Sequence, residues 1–81
     1  MNMEEILDFQ RATPFTGYII DLSDGRSLEV EHPEFLARSP LGRSIVVYGP
    51  LGSLEVVDLR QVVSLELLNG QKKRTRRKKS S

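Results

Sequence analysis

The chain has 81 residues, of which 28% are charged and none is cysteine, so disulfides and thiolate metal sites are excluded. One domain is expected, and a chain this short without disulfides commonly needs self-association to stabilise its modest core. The first residues are acidic and no apolar run approaches the length of a membrane span, which predicts a cytoplasmic protein with no membrane partner.

The first predicted element is a short amphipathic helix. Asn2 and Glu5 have the spacing of a capping box, which satisfies free amides at a helix start. Thr13-Pro14 disfavours helical geometry, so the helix should end near Arg11 or Ala12. Such a helix is too short to persist alone in water, and its apolar stripe must pack against a sheet.

Two strands joined by a tight turn follow the helix. Apolar residues alternate from Tyr18 to Leu22, and Asp24-Gly25 suits the positive φ angles of a hairpin. The return strand is predicted over residues 27–32, before Pro33 interrupts pairing. For the next five residues the pattern leaves two alternatives, a helical turn or a bent strand.

The rest of the domain reads as three further strands. Ser39 to Gly42 fits a type I turn that starts the third strand at Arg43. The three strands are predicted over residues 43–48, 53–57 and 62–68, with turns at 49–52 and 58–61.

One helix followed by five short strands, with a single turn between the fourth and fifth, is the element order of Sm-like small barrels. We therefore predict a mostly β domain over residues 1–70, with one N-terminal α-helix and a small five-stranded antiparallel, partly open barrel. The alternative is an open antiparallel meander with the helix on one face. RNA binding by the Sm-like comparison would be a fold-level analogy alone.

Two motifs carry a closer resemblance. Residues 32–43 read His-Pro-Glu-Phe-Leu-Ala-Arg-Ser-Pro-Leu-Gly-Arg, and residues 55–59 read Glu-Val-Val-Asp-Leu. Together they resemble a widespread family of short uncharacterised bacterial proteins, with a match over roughly residues 3 to 67. The resemblance implies a bacterial cytoplasmic protein and transfers no activity.

Catalytic, cofactor and metal sites are not predicted. His32 is the only histidine, and carboxylates such as Asp21, Glu29 or Glu31 would be its metal partners, but no diagnostic ligand spacing is present. A structural histidine near Pro33 is the favoured interpretation. No phosphate loop, nucleophile elbow or small-molecule substrate site is indicated, so we predict a protein that is not an enzyme.

Three arginines and two aromatic residues have alternative interpretations. Arg26, Arg38 and Arg43 form a second basic patch in one interpretation and solvated or paired side chains in the favoured one. Phe35 and Tyr48 offer stacking surfaces for bases, although we favour core or subunit contacts for both.

Charge is divided sharply along the chain. Residues 1–70 hold five arginines against all eleven carboxylates, a formal charge of −6, whereas the last ten residues hold seven cations and no acid. We predict a disordered basic tail over residues 71–81 that contacts RNA or DNA without sequence preference. The nucleic-acid-binding residues of this hypothesis are Lys72, Lys73, Arg74, Arg76, Arg77, Lys78 and Lys79.

The alternative function is a structural or protein-interaction adaptor, with the tail serving only to solubilise it. Ile19, Val46 and Val57 lie out of phase with their inward neighbours and are predicted to form an apolar patch that another chain covers. A homo-oligomer is the expected assembly.

Overall fold

The computed structural model describes residues 1–68. The predicted disordered tail and its seven cations lie outside the described residues. The order of elements is helix α1 (Met3–Gln10), then strands β1 (Tyr18–Leu22), β2 (Ser27–Val30), β3 (Leu36–Arg38), β4 (Ser44–Tyr48), β5 (Leu54–Asp58) and β6 (Val62–Leu67). Single 3-10 turns at Pro33–Phe35, Pro50–Gly52 and Leu59–Gln61 separate the later strands.

Helix α1 begins with the predicted capping box. The Asn2 side chain accepts a hydrogen bond from the Glu5 amide at 3.0 Å, and the Glu5 carboxylate accepts one from the Asn2 amide at 3.1 Å. The helix ends at Gln10, with Arg11 as its C-terminal cap, close to the predicted end. Ile6, Leu7 and Phe9 are buried, so the apolar side of α1 covers the sheets.

Strands β2, β1 and β6, in that order, form an antiparallel sheet that we call sheet A. Tyr18 and Ile20 of β1 face the core, and Ile19 and Asp21 face outward. The pairing with β6 shifts between Asp21, which lies opposite Ser64, and Leu22, which lies opposite Val62. Val63 is therefore the extra residue of a bulge on β6.

Strands β3, β4 and β5 form a second antiparallel sheet, sheet B, and β4 is its central strand. The β4–β5 register runs without a shift from Ser44 opposite Asp58 to Tyr48 opposite Leu54. Ile45, Val47 and Val57 point inward and are buried.

The prediction of a mostly β domain with one N-terminal helix is confirmed, but the five-stranded partly open barrel is wrong. The described residues contain six strands in two three-stranded sheets, and the sheets do not close into a barrel. The difference arises at Pro33–Phe35, where a 3-10 turn splits the bent segment between β2 and β3. Proline lacks the amide that a continuous strand needs there. Both alternatives left open for residues 34–38 therefore occur in sequence, a helical turn and then a short strand.

The two sheets and the helix enclose one hydrophobic core. Side chains from α1, sheet A and sheet B contribute to it, namely Ile6, Phe9, Tyr18, Ile20, Leu22, Val30, Leu36, Ile45, Val47, Val57, Leu59, Val62 and Leu65. Tyr18 is fully buried, and its hydroxyl donates a hydrogen bond of 2.7 Å to the Gln10 side chain, which itself donates to the Pro33 carbonyl. Burial raises the pKa of the Tyr18 phenol.

Three turns contain residues with positive φ, at Gly25, at Gly42 and at Leu51 with Gly52. Gly25 adopts φ 94° in the predicted Asp-Gly hairpin between β1 and β2, as a residue without a Cβ does readily. Leu51, in the turn between β4 and β5, adopts φ 60° and is fully exposed. A leucine in this region is strained, because its Cβ crowds the backbone.

Candidate protein-interaction surface

The outward face of sheet B is apolar across all three of its strands. Ala37 on β3, Val46 on β4 and Val56 on β5 lie side by side in one row, because the register pairs each with the next. Tyr48 and Leu54 form the neighbouring row. We call these five residues the sheet B patch.

The patch exposes large apolar side chains to solvent. Tyr48 is 41% exposed, Leu54 59% and Val56 63%, on a sheet whose opposite face is buried. Scattered exposed leucines are normal on a protein surface, but a contiguous apolar patch on two adjacent strands is typical of an interaction site. The patch is therefore the strongest candidate for a functional surface within residues 1–68.

Strand β5 also carries two carboxylates, Asp58 on the face of the patch and Glu55 on the other side of the sheet, and both are paired with arginines. Arg26, from the hairpin of sheet A, donates to the Glu55 carboxylate and to Asp24 at 2.9 Å. Arg60 donates to the Asp58 carboxylate at 3.0 and 3.1 Å. These side-chain bonds raise the pKa of both guanidinium groups, so they remain charged.

The Asp58 carboxylate is strongly stabilised in its ionised form. Hydrogen bonds from the Arg60 side chain, and then from the Arg60 amide, lower its pKa to about 2. Asp58 also caps the following 3-10 turn, and Gln61 completes the capping box. Local contacts thus hold the Asp58 side chain in place at the margin of the patch, and arginines balance the charges of both carboxylates on β5.

A cleft of about 370 Å³ adjoins the patch where the two sheets meet. Leu28 and Glu29 of β2 form one wall, and Tyr48, Leu54 and Glu55 of sheet B form the other. Because Tyr48 and Leu54 belong to both features, the patch is continuous with a concave surface.

The outward face of sheet A is polar instead. The Asp21 carboxylate accepts hydrogen bonds of 2.9 Å from both the Ser27 and the Ser64 hydroxyls. Ile19 lies between Glu29 and Glu66 on the adjacent strands. This face carries acidic side chains and hydrogen-bonded serines, so it does not extend the apolar surface.

The predicted apolar patch was partly misplaced. Val46 does belong to the sheet B patch, but Val57 is only 1% exposed and packs in the core. Ile19 is half-buried on the other sheet. The strand β5 has the opposite phase to the predicted one, since Leu54 and Val56 point outward. Because residues 56 and 57 are both valine, the sequence pattern does not indicate which of the two faces the core.

His32, for which a structural role is predicted, is exposed and contacts one aromatic ring. The imidazole lies edge-on to Phe35, with ring centroids 5.2 Å apart, just outside the 3-10 turn. Asp21, one of its proposed metal partners, is engaged by two serines. Within residues 1–68 no three His, Cys, Asp or Glu side chains are grouped so as to hold a metal ion.

The arginines considered as a second basic patch behave differently from one another. Arg26 is occupied by Asp24 and Glu55, in line with the favoured interpretation of paired side chains. Arg38 is exposed on β3, and Arg43 lines a cleft of about 500 Å³ together with Arg60 and Met1. The seven tail cations of the nucleic-acid hypothesis, from Lys72 to Lys79, lie outside the described residues.

No protein-family model, curated protein or solved structure matches this chain. None of the helices described in residues 1–68 has the length and apolarity needed to cross a membrane.

Proposed function

We propose that this protein is a non-enzymatic interaction module of the bacterial cytoplasm that self-associates through the sheet B patch. The observation that carries the proposal is the contiguous exposure of Tyr48, Leu54 and Val56. Burial of apolar surface is worth about 25 cal/mol per Å², so covering this face with a second copy would stabilise an assembly.

The distribution of charge supports a second copy of the chain as the partner that covers the sheet B patch. Residues 1–70 carry a formal charge of −6, which opposes contact between most surfaces of two copies. The sheet B patch is uncharged, and the carboxylates of Glu55 and Asp58 beside it are paired with arginines. Two copies therefore meet with least repulsion at this face.

The test is the molar mass in solution, measured by light scattering over a wide range of concentrations. The natural chain should form dimers or larger assemblies as concentration rises. Leu54→Lys should shift association to at least tenfold higher concentration, because it places a charge in the patch. Leu41→Lys is the matched control, since Leu41 is also exposed but lies in the turn before β4. A natural chain that stays monomeric at millimolar concentration contradicts the proposal.

A second proposed function is nucleic-acid contact through the basic tail. Its support is the sequence alone, with seven cations from Lys72 to Lys79 and no acid among them. Lysine and arginine bind phosphates and release counterions, so affinity should fall steeply with salt. Seven contacts give a slope of log affinity against log salt of about −5 to −6.

The tail proposal is tested by binding of single-stranded and duplex DNA and RNA at several salt concentrations. A chain ending at Gly70 and a chain with the seven cations changed to glutamine should both lose binding. The glutamine variant is the sharper control, because it keeps the length of the chain. Equal binding by natural and glutamine chains would show that the tail does not carry the contact.

A further inference from the structure

We infer that two copies join along the free edge of β5, antiparallel to each other, with Val56 of one copy opposite Val56 of the other. The inference rests on the proposed self-association and names its interface. Joining the edges would extend sheet B from three strands to six.

The edge of β5 is the least protected of the four sheet edges in residues 1–68. Strand β3 has only three residues, and β2 carries the exposed Glu29 among its four. Strand β6 is bent by the bulge at Val63, a device that turns an edge away from a partner. Each of these edges is therefore poorly suited to pair with another chain.

Strand β5 is neither as short as β3 nor bent by a bulge, and its two carboxylates, Glu55 and Asp58, are paired with arginines. It comprises five residues, Leu54–Asp58, and pairs with β4 in an unbroken register. It contains no proline or lysine. In the strand order of sheet B, the edge of β5 that faces away from β4 has no strand partner among the described residues. Unpaired strand edges of this kind accept a strand from another chain.

Side-chain pairing selects the register. A two-fold axis at Val56 pairs all five residues of the strand, placing valine against valine on the outward face. Moving the axis to Glu55 would set two carboxylates directly opposite each other, which is destabilising. Moving it to Val57 would leave Leu54 without a partner on the opposite strand.

The same register makes the apolar surface continuous. The row formed by Ala37, Val46 and Val56 in one copy would run directly into the same row of the other copy. The resulting six-stranded sheet would have an uninterrupted apolar centre. Backbone hydrogen bonds would supply affinity, and the row would set the alignment.

The absence of cysteine allows a direct test by cross-linking. In Val56→Cys the two thiols would lie across the two-fold axis, within the Cα separation of 4.4–6.8 Å that disulfides require, so mild oxidation should give a covalent dimer. Leu54→Cys is the matched control, on the same face and similarly exposed. Its two copies would be about 13 Å apart along the strands, too far for a disulfide.

The expected result is at least tenfold faster dimer formation by Val56→Cys than by Leu54→Cys, with unchanged circular dichroism for both. Comparable rates would overturn the register. Slow cross-linking of both, in a protein that light scattering shows to associate, would overturn the β5 edge while leaving self-association intact. A monomeric natural chain would overturn both proposals together.

Discussion

The outward face of sheet A carries Asp21, Glu29 and Glu66, whereas that of sheet B carries Val46, Leu54 and Val56. In sheet A the Asp21 carboxylate accepts hydrogen bonds from two serine hydroxyls, one of them that of the buried Ser64. In sheet B apolar surface stays exposed. Two sheets that share one core therefore differ on their outward faces, and the larger exposed apolar surface lies on sheet B.

The largest expected losses of stability come from substitutions in the core that the two sheets share. Ile20 on β1 and Ile45 on β4 are both fully buried, so changing either to alanine should lower the free energy of unfolding by about 2–5 kcal/mol. Urea unfolding, followed by circular dichroism and by tyrosine fluorescence, measures the loss.

Valine substitutions at the same two positions keep the comparison measurable if the alanine variants do not fold, since each should cost about 0.5–1.5 kcal/mol. Losses of similar size at Ile20 and Ile45 would agree with a single shared core. A small loss at Ile45 alone would mean that sheet B contributes little to the stability of the shared core.

A second pair of substitutions contrasts the outward faces. Asp21→Ala removes the acceptor for the buried Ser64 hydroxyl and should cost about 1–3 kcal/mol. Val56→Ala, on the exposed face of sheet B, should change monomer stability by no more than about 0.5 kcal/mol. Thermal unfolding at low protein concentration gives both values, and an equal loss in the two variants would erase the distinction between the faces.

The smallest effect concerns the charge at the margin of the sheet B patch. The pKa of Asp58 is lowered from 3.8 to about 2, so its stabilising contribution is complete above pH 3.8 and is lost as pH falls through 2. Carboxyl chemical shifts followed by NMR during acid titration should show this midpoint.

Arg60→Ala provides the check on the cause, because it removes the donor that accounts for the largest part of the shift. The Asp58 midpoint should then rise toward its ordinary value, while the pKa of Asp24, which hydrogen bonds from Arg26 lower, should not change. An unaltered Asp58 midpoint would assign the shift to another group.

Local features of the fold followed from the sequence, and longer-range ones did not. The capping box at Asn2 and the hairpin at Gly25 depend on neighbouring residues, and both occur as predicted. The break in strand pairing at Pro33 is also local, and it occurs as predicted. Which strands then pair into two separate sheets depends on contacts between residues far apart in the sequence, such as Asp21 and Ser64.

The candidate surface was less predictable for a related reason. The sequence placed Val57 outward and Val56 inward, and the structure reverses them. Two adjacent valines carry no sign of which faces the core, so the phase was set by partners such as Ile45, opposite Val57. The outward orientation of Val46 was predictable, because it alternates with two inward neighbours.

The strand order also has a consequence for folding. Sheet B is built from consecutive strands within residues 36–58, whereas sheet A joins β1 to β6, so that Asp21 and Ser64 lie 43 positions apart in the sequence. Contacts close in sequence form faster than distant ones. During refolding, sheet B should therefore form, with its apolar surface exposed, before β6 pairs with β1. Copies that meet at that stage would contact each other first through β5.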